Sequence, residues 1–261
     1  MQSLEILSEE PHFLTLNKPA GIQSQAAEGV PCVQRMLSLQ LAERDQHSGK
    51  PFVGLPHRLD RVTSGVMLIA RNQRALRQFN AQFQSRKVHK YYLAVFECDN
   101  DQRLESEVWS DNIRKIPDVA KAEILPTGVD AESLNAKHAE LAVLPFMLAD
   151  HLQLALIQLR TGRMHQIRVQ AASRQRAIVG DQLYGAEQQF GPEEPTFREA
   201  PIALHALRLE FRHPKTGTAL ASTAPPPSRW NDLPEQICET TRVLTSQSQT
   251  DSASSWLSKF P

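Results

Sequence analysis

One carboxylate stands between two guanidinium groups in the run His57-Arg58-Leu59-Asp60-Arg61-Val62-Thr63-Ser64-Gly65. An aspartate flanked in this way stays ionised at neutral pH and can act as a nucleophile or a base. Thr63, Ser64 and Gly65 supply turn chemistry, and Val66 to Ala70 reads as a buried strand. Asp60 is therefore expected on a loop at the entrance to a strand, where reactive groups are commonly held. Taken alone, the motif fits equally well an aspartate that pairs with a neighbouring arginine for stability.

The elements around this loop follow from periodicity and breakers. Leu4 to Leu7 and Phe13 to Asn17 read as a hairpin closed by Glu9, Glu10 and Pro11. Asn72 is a natural N-cap for a helix running to about Gln84, with Leu76, Phe79 and Phe83 at helical spacing and Arg74 and Arg77 facing solvent. Lys90 to Phe96 resumes as a strand, in which alternation sends Tyr91 and Tyr92 to opposite faces. Arg103 to Asp150, interrupted by Pro117, Pro126 and Pro145, is expected to form loosely packed strands and loops. Leu152 to Leu159 reads as a strand with one buried face, followed by a helix from about Met164 to Ser173 and a strand from Ala203 to Arg212. Strand segments outnumber crossover helices, so the fold class is α+β with a mixed, mainly antiparallel sheet. Residues 1–230 are expected to form one domain that ends near Ala224 to Pro227. A C-terminal extension, 231–261, is rich in Ser, Thr and Gln and reads as mobile unless Trp256, Leu257 and Phe260 dock.

Composition narrows the class of function. The chain has 261 residues, 41% of them hydrophobic, as is ordinary for a globular protein. No apolar stretch approaches the roughly 20 residues needed to span a bilayer, and no basic segment leads into an apolar one at the start, so the expected location is the cytoplasm. Cys32, Cys98 and Cys238 lie far apart and outside any CxxC pattern, which argues for reduced thiols over a disulfide framework or a zinc site. The net charge is formally zero, yet it is unevenly spread. From His57 to Tyr92 the only acid is Asp60, against the basic residues Arg58, Arg61, Arg71, Arg74, Arg77, Arg86, Lys87 and Lys90. Arg160 to Arg176 adds Arg160, Arg163, Arg168, Arg174 and Arg176 and no acid. A basic surface around the candidate site is what a phosphate backbone requires. The bland alternative is a solvated helix face.

Further runs carry a resemblance. Leu159-Arg160-Thr161-Gly162-Arg163-Met164-His165-Gln166-Ile167-Arg168-Val169 is followed by Gly180-Asp181-Gln182-Leu183-Tyr184-Gly185. Asn17-Lys18-Pro19-Ala20-Gly21-Ile22 precedes the Asp60 run; Lys90-Tyr91-Tyr92-Leu93-Ala94 follows it; Leu204-His205-Ala206 and His213-Pro214-Lys215-Thr216-Gly217 lie near the end. In this order, from about Ile6 to Pro225, the chain resembles the RluA family of RNA pseudouridine synthases. It departs at Met164, where the family usually has a small hydroxyl residue, and at Gln170, where a histidine is common; both bear on substrate contacts more than on the reaction. The segment from about Asp99 to Pro145 matches poorly. The first predicted strand begins at Leu4, which leaves no room for an S4-type module ahead of it, so specificity is expected from the catalytic domain.

The resemblance implies a single catalytic domain whose sheet is split by a cleft, and isomerisation of uridine to pseudouridine in RNA. That reaction detaches uracil from ribose, rotates it and rejoins it through carbon; nothing is oxidised or added, so no metal or cofactor is expected. By the same resemblance Asp60 is the reacting carboxylate, by attack on ribose, by attack on the base, or by removal of a sugar proton. Arg168 pairs with it, with Arg163 the second candidate, and Tyr92 stacks on uracil. Arg58 fills the space left by the extruded uridine, offsetting part of the few kcal/mol that extrusion costs. Arg61, Lys90, Arg163, His165, Gln166 and Leu183 are expected to bind substrate, with Tyr184 beside Leu183 in the pocket. His57, His165, His205 and His213 show no metal-ligand spacing and read as structural or RNA-contacting. The partner is an RNA with an accessible uridine in a ribosomal or transfer RNA loop, no membrane is involved, and a monomer is the default. Two rivals remain: a catalytically inactive RNA-binding protein of the same fold, and a glycosidic-bond hydrolase, which would usually pair two acids where these motifs hold one.

Overall fold

The computed structural model describes residues 3–46, 49–98, 103–191, 196 and 199–250. In chain order the elements are β1 (Glu5–Glu9), β2 (Phe13–Lys18), α1 (Val33–Arg44), β3 (Ser64–Ala70), α2 (Gln73–Gln84), β4 (His89–Glu97), β5 (Glu107–Lys115), β6 (Ala122–Ile124), β7 (Lys137–Ala149), β8 (Leu152–Leu159), α3 (Gln166–Ala172), β9 (Leu204–Arg212), β10 (Ala219–Thr223) and α4 (Glu235–Thr250). The strands form one sheet in the order β1-β2-β3-β9-β4-β8-β7-β5-β6, with β10 also on β9. The pairing of β3 with β9 is parallel and the other strand pairings among the described residues are antiparallel. The chain is α+β with a mixed, mainly antiparallel sheet, as expected.

The parallel junction is narrow: only Ser64 with His205 and Gly65 with Ala206 are paired. Gly65 has φ +120°, and a Cβ there would stand 2.3 Å from the Ala206 carbonyl oxygen, so glycine alone permits this approach. Ser64 Oγ and His205 Nδ1 add a bond at 2.9 Å, and His205 Nε2 donates to the Ala224 carbonyl at 2.9 Å. The residues just ahead of the junction, Thr63 and Leu204, line a cleft.

Local chemistry explains most element boundaries. Asn72 caps α2, its side chain accepting from the Ala75 amide at 2.8 Å; Phe79 is buried and Arg74 and Arg77 are exposed. Val33, Met36, Leu37 and Leu41 bury one side of α1, a helix that the sequence reading did not name. Three expectations need correction. β8 buries all eight of its residues, because β4 and β7 flank it and both faces of the sheet are covered there. The segment from Arg103 to Asp150 is loose only in part: β7 runs 13 residues between β8 and β5, and Trp109, Leu141 and Val143 are buried, whereas residues 126–138 stay mostly exposed. Pro145 is accommodated at the register shift between Pro145 and Met147, where a missing N–H costs no ladder bond. Finally, residues 235–250 form a packed helix rather than a mobile tail. α4 buries Ile237, Cys238 and Leu244, and the Ser248 carbonyl accepts from Arg208 and from Thr223 Oγ1. Thr240, Thr245 and Ser248 turn hydroxyls back onto their own helix, Thr245 to the Thr241 carbonyl at 2.8 Å, so a polar composition still builds a core-facing side. Trp256, Leu257 and Phe260 lie outside the described residues.

Candidate active site

Two side chains clamp the loop that carries Asp60. Ser24 bonds Leu59 on both sides, donating from Oγ to its carbonyl at 2.8 Å and accepting from its amide at 3.0 Å. Lys18 is fully buried and donates from Nζ to the carbonyls of Pro19 and Ile22 at 2.8 Å and of Arg61 at 3.2 Å. Burial pushes its pKa down to about 7, with the nearby Asp60 charge acting the other way. The clamps sit one residue to either side of Asp60, so the carboxylate is fixed in place while its side chain stays about a third exposed.

Arg168 and His165 approach the same oxygen of Asp60, Oδ2, at 3.5 and 3.9 Å. Arg168 is itself held by Asp181 through two parallel bonds of 2.6 and 2.7 Å, both residues being almost fully buried. Burial opposes the charge of Arg168, but the bond and charge of Asp181, together with Asp60, outweigh it and raise the pKa. The Arg168 guanidinium also lies over the Tyr184 ring, 5.1 Å from its centroid. Asp181 follows Gly180, whose φ of +87° and close contacts to Phe190 and Pro201 leave no space for a side chain.

Tyr92 reaches the site from β4, where the register slips against β9 between Tyr91 and Tyr92. The extra residue, Leu207, belongs to β9, so β4 keeps its alternation through Tyr92. Tyr92 lines the cleft, whereas Tyr91 is buried against Glu210, 3.4 Å from its carboxylate. Burial, then the charge of Asp60, raises the Tyr92 pKa, so its hydroxyl stays protonated. Lys90 stands two residues before it on the same face and donates to the Thr161 carbonyl at 3.0 Å; burial lowers its pKa to about 8.

The cleft measures about 1260 Å³ and is lined by Arg58, Asp60, Tyr92, Arg163, His165 and Arg168, among others. Asp60, Tyr92 and Arg168, distant in sequence, thus share one hollow. Arg58 is exposed at its rim. The remaining predicted binders differ in their engagement. Arg61 donates to the Gly21 carbonyl and pairs with Glu199 at 2.6 Å. Arg163 donates to the His138 carbonyl at 2.8 Å. Gln166 is buried and spends its amide on Thr161, Glu140 and the Arg163 amide, tying the turn that leads into α3. Leu183 and Tyr184 belong to a second apolar cluster with Ile113, Ala122, Ala139 and Val169, outside the cleft lining.

The histidines divide in the same way. His57 stacks on Phe83 and its Nε2 accepts from the Leu68 amide at 2.9 Å. His213 accepts from the amides of Lys215 and Thr216. Sequence reasoning missed Lys18, Ser24 and Asp181. The signal for Asp181 was present: an acid directly after a glycine within one of the matched runs.

Comparison with known proteins accords with this geometry. Residues 12–173 match the family described as RNA pseudouridylate synthase. The chain is 33% identical over 253 residues to the ribosomal large subunit pseudouridine synthase D of Xylella fastidiosa, covering 94% of this chain and 70% of that protein. It is 30% identical over 228 residues to the ribosomal large subunit pseudouridine synthase C of Vibrio vulnificus, covering 84% of this chain and 65% of that one. The chain thus spans about two thirds of the length of these relatives. Among solved structures, human RNA pseudouridylate synthase domain containing 4 shares the fold, with a TM-score of 0.67 over 86% of this chain and 89% of that one at 23% identity. With a family match across most of the cleft-forming sequence and relatives that cover nearly the whole chain, this protein belongs to the RNA pseudouridylate synthase family.

Proposed function

We propose that this pseudouridine synthase isomerises a uridine of large-subunit ribosomal RNA, with Asp60 as the reacting carboxylate. The observation that carries the reading is the meeting of Asp60, Tyr92 and Arg168 in one cleft. The N1–C1′ bond breaks, a C5–C1′ bond forms, the C5 proton leaves and N1 gains one. The balance needs no oxidant or second substrate. Asp60 faces the sugar and is paired with Arg168, whose own orientation comes from Asp181. Tyr92 stacks on the uracil and, being protonated, offers a hydrogen-bond donor. Arg58 stands at the rim and fills the gap left by the extruded nucleotide. The relatives act, by name, on the large ribosomal subunit, which supports its RNA as the substrate. The chain is further proposed to act as a monomer in the cytoplasm; no helix among the described residues is long and apolar enough to cross a membrane.

The test is tritium release from an in vitro transcript of large-subunit ribosomal RNA carrying [5-³H]uridine. The wild-type chain is expected to release tritium, and Asp60→Asn to release none while retaining its circular dichroism spectrum and RNA affinity. Near-wild-type turnover by Asp60→Asn removes Asp60 from the mechanism. Binding without release by the wild-type chain would leave a protein that only binds RNA.

A further inference from the structure

The Asp60 carboxylate has a second neighbour besides Arg168, and the surroundings of that neighbour determine where its proton lies. His165 Nδ1 is 3.0 Å from the Tyr184 hydroxyl. That hydroxyl accepts from the Ala122 amide at 2.9 Å. Its own proton has two acceptors, the Ala122 carbonyl at 3.3 Å and Nδ1 at the shorter distance. Donation to Nδ1 puts the imidazole proton on Nε2, which faces Asp60 Oδ2. The other tautomer would turn a lone pair toward a carboxylate oxygen. Burial lowers the His165 pKa against the opposing effect of Asp60, so the ring is neutral and has a single N–H to place.

The backbone agrees. His165 adopts φ 50°, ψ 27° immediately before α3, a left-handed conformation that a non-glycine residue takes at a cost. It brings the ring between Tyr184, which it meets edge-on at 5.7 Å, and Asp60. The 3.9 Å separation from Oδ2 is longer than a hydrogen bond, and such contacts commonly shorten when substrate closes the site.

We infer that His165 is a positioning residue whose Nε2–H, fixed by the Tyr184 hydroxyl, holds Oδ2 of Asp60 and so turns Oδ1 toward the nucleotide. The inference rests on Asp60 being the reacting carboxylate. It gives the Gly180 to Gly185 turn two duties, since Asp181 places the guanidinium and Tyr184 places the imidazole on one oxygen.

The test uses the full chain, the tritium-labelled transcript and single-turnover conditions. Wild type and Asp60→Asn are compared first: no release by wild type, or equal release by both, defeats the functional reading itself. If that reading stands, His165→Gln and His165→Asn decide the inference. Glutamine places an amide nitrogen near the position of Nε2, and asparagine places one near Nδ1. His165→Gln is expected to stay within about threefold of the wild-type rate, and His165→Asn to fall at least about tenfold, equivalent to about 1.4 kcal/mol, with RNA affinity unchanged in both. Equal losses in the two variants, or a loss seen only in affinity, would overturn it. Tyr184→Phe supplies an independent arm if His165→Asn fails to fold. It should slow the His165 enzyme severalfold and leave the His165→Gln enzyme unaffected, because an amide has no tautomer to fix. Equal slowing in both backgrounds would make Tyr184 structural and defeat the inference.

Discussion

At the residue scale, the partner of Arg168 matters as much as Arg168. Replacing Asp181 with Asn leaves a guanidinium almost fully buried with only the partly exposed Asp60 to balance it. Removing one member of a buried pair typically costs 3–5 kcal/mol, and Asp60 recovers a part. Asp181→Asn is therefore expected to lose about 3 kcal/mol in urea unfolding and to slow tritium release, with a wild-type midpoint counting against the pair. Asp60 stood out by its own run, whereas Tyr92 and Arg168 were singled out only by the family resemblance; all three line one cleft. Lys18 and Ser24 were not legible, because their partners are backbone atoms of Leu59, Arg61 and the 19–22 turn, and a sequence shows no backbone geometry. Gln166 lines the cleft and also closes the turn into α3, a role that its place beside reactive arginines does not announce.

At the scale of elements, β1–β4, β8, β9 and α2 could be read from alternation, breakers and the Asn72 cap, whereas α1, β10 and the Arg103 to Asp150 segment were not read. Its prolines suggested interruption, and the bulge at Pro145 that absorbs one of them exists only in the context of β8. α4 was obscured by composition, since helical spacing of Ile237, Thr241, Leu244, Thr245 and Ser248 mixes apolar and hydroxyl groups on its buried side. The packing of α4 is testable. Ile237 is fully buried, so Ile237→Ala is expected to cost about 2–5 kcal/mol in urea unfolding, while a change under about 0.5 kcal/mol, as at an exposed position, would mean that the helix is not docked.

At the scale of the whole molecule, zero net charge conceals a basic cleft. Three phosphate contacts to single-stranded RNA would give a slope of about −2 in log K against log salt. RNA affinity is expected to fall at least that steeply, and Arg58→Ala to flatten the slope by about 0.7; a salt-independent affinity would refute the charge argument. Acid should destabilise the fold through its interior histidines. Burial holds His57 at about 3 and His205 at about 4, against an ordinary 6.5. Between those values and 6.5 the unfolded chain binds the extra protons, so stability falls as pH falls. The loss is about 2 kcal/mol for each histidine by pH 5, read as a dropping urea midpoint that His57→Asn flattens. The narrow β3–β9 junction carries one further consequence. Ser64 and His205, which seat the Asp60 loop against the rest of the sheet, are 141 positions apart. A nascent chain leaving the ribosome therefore presents its carboxylate long before the strand that completes the seat has been translated, and turnover is expected only once that strand has emerged.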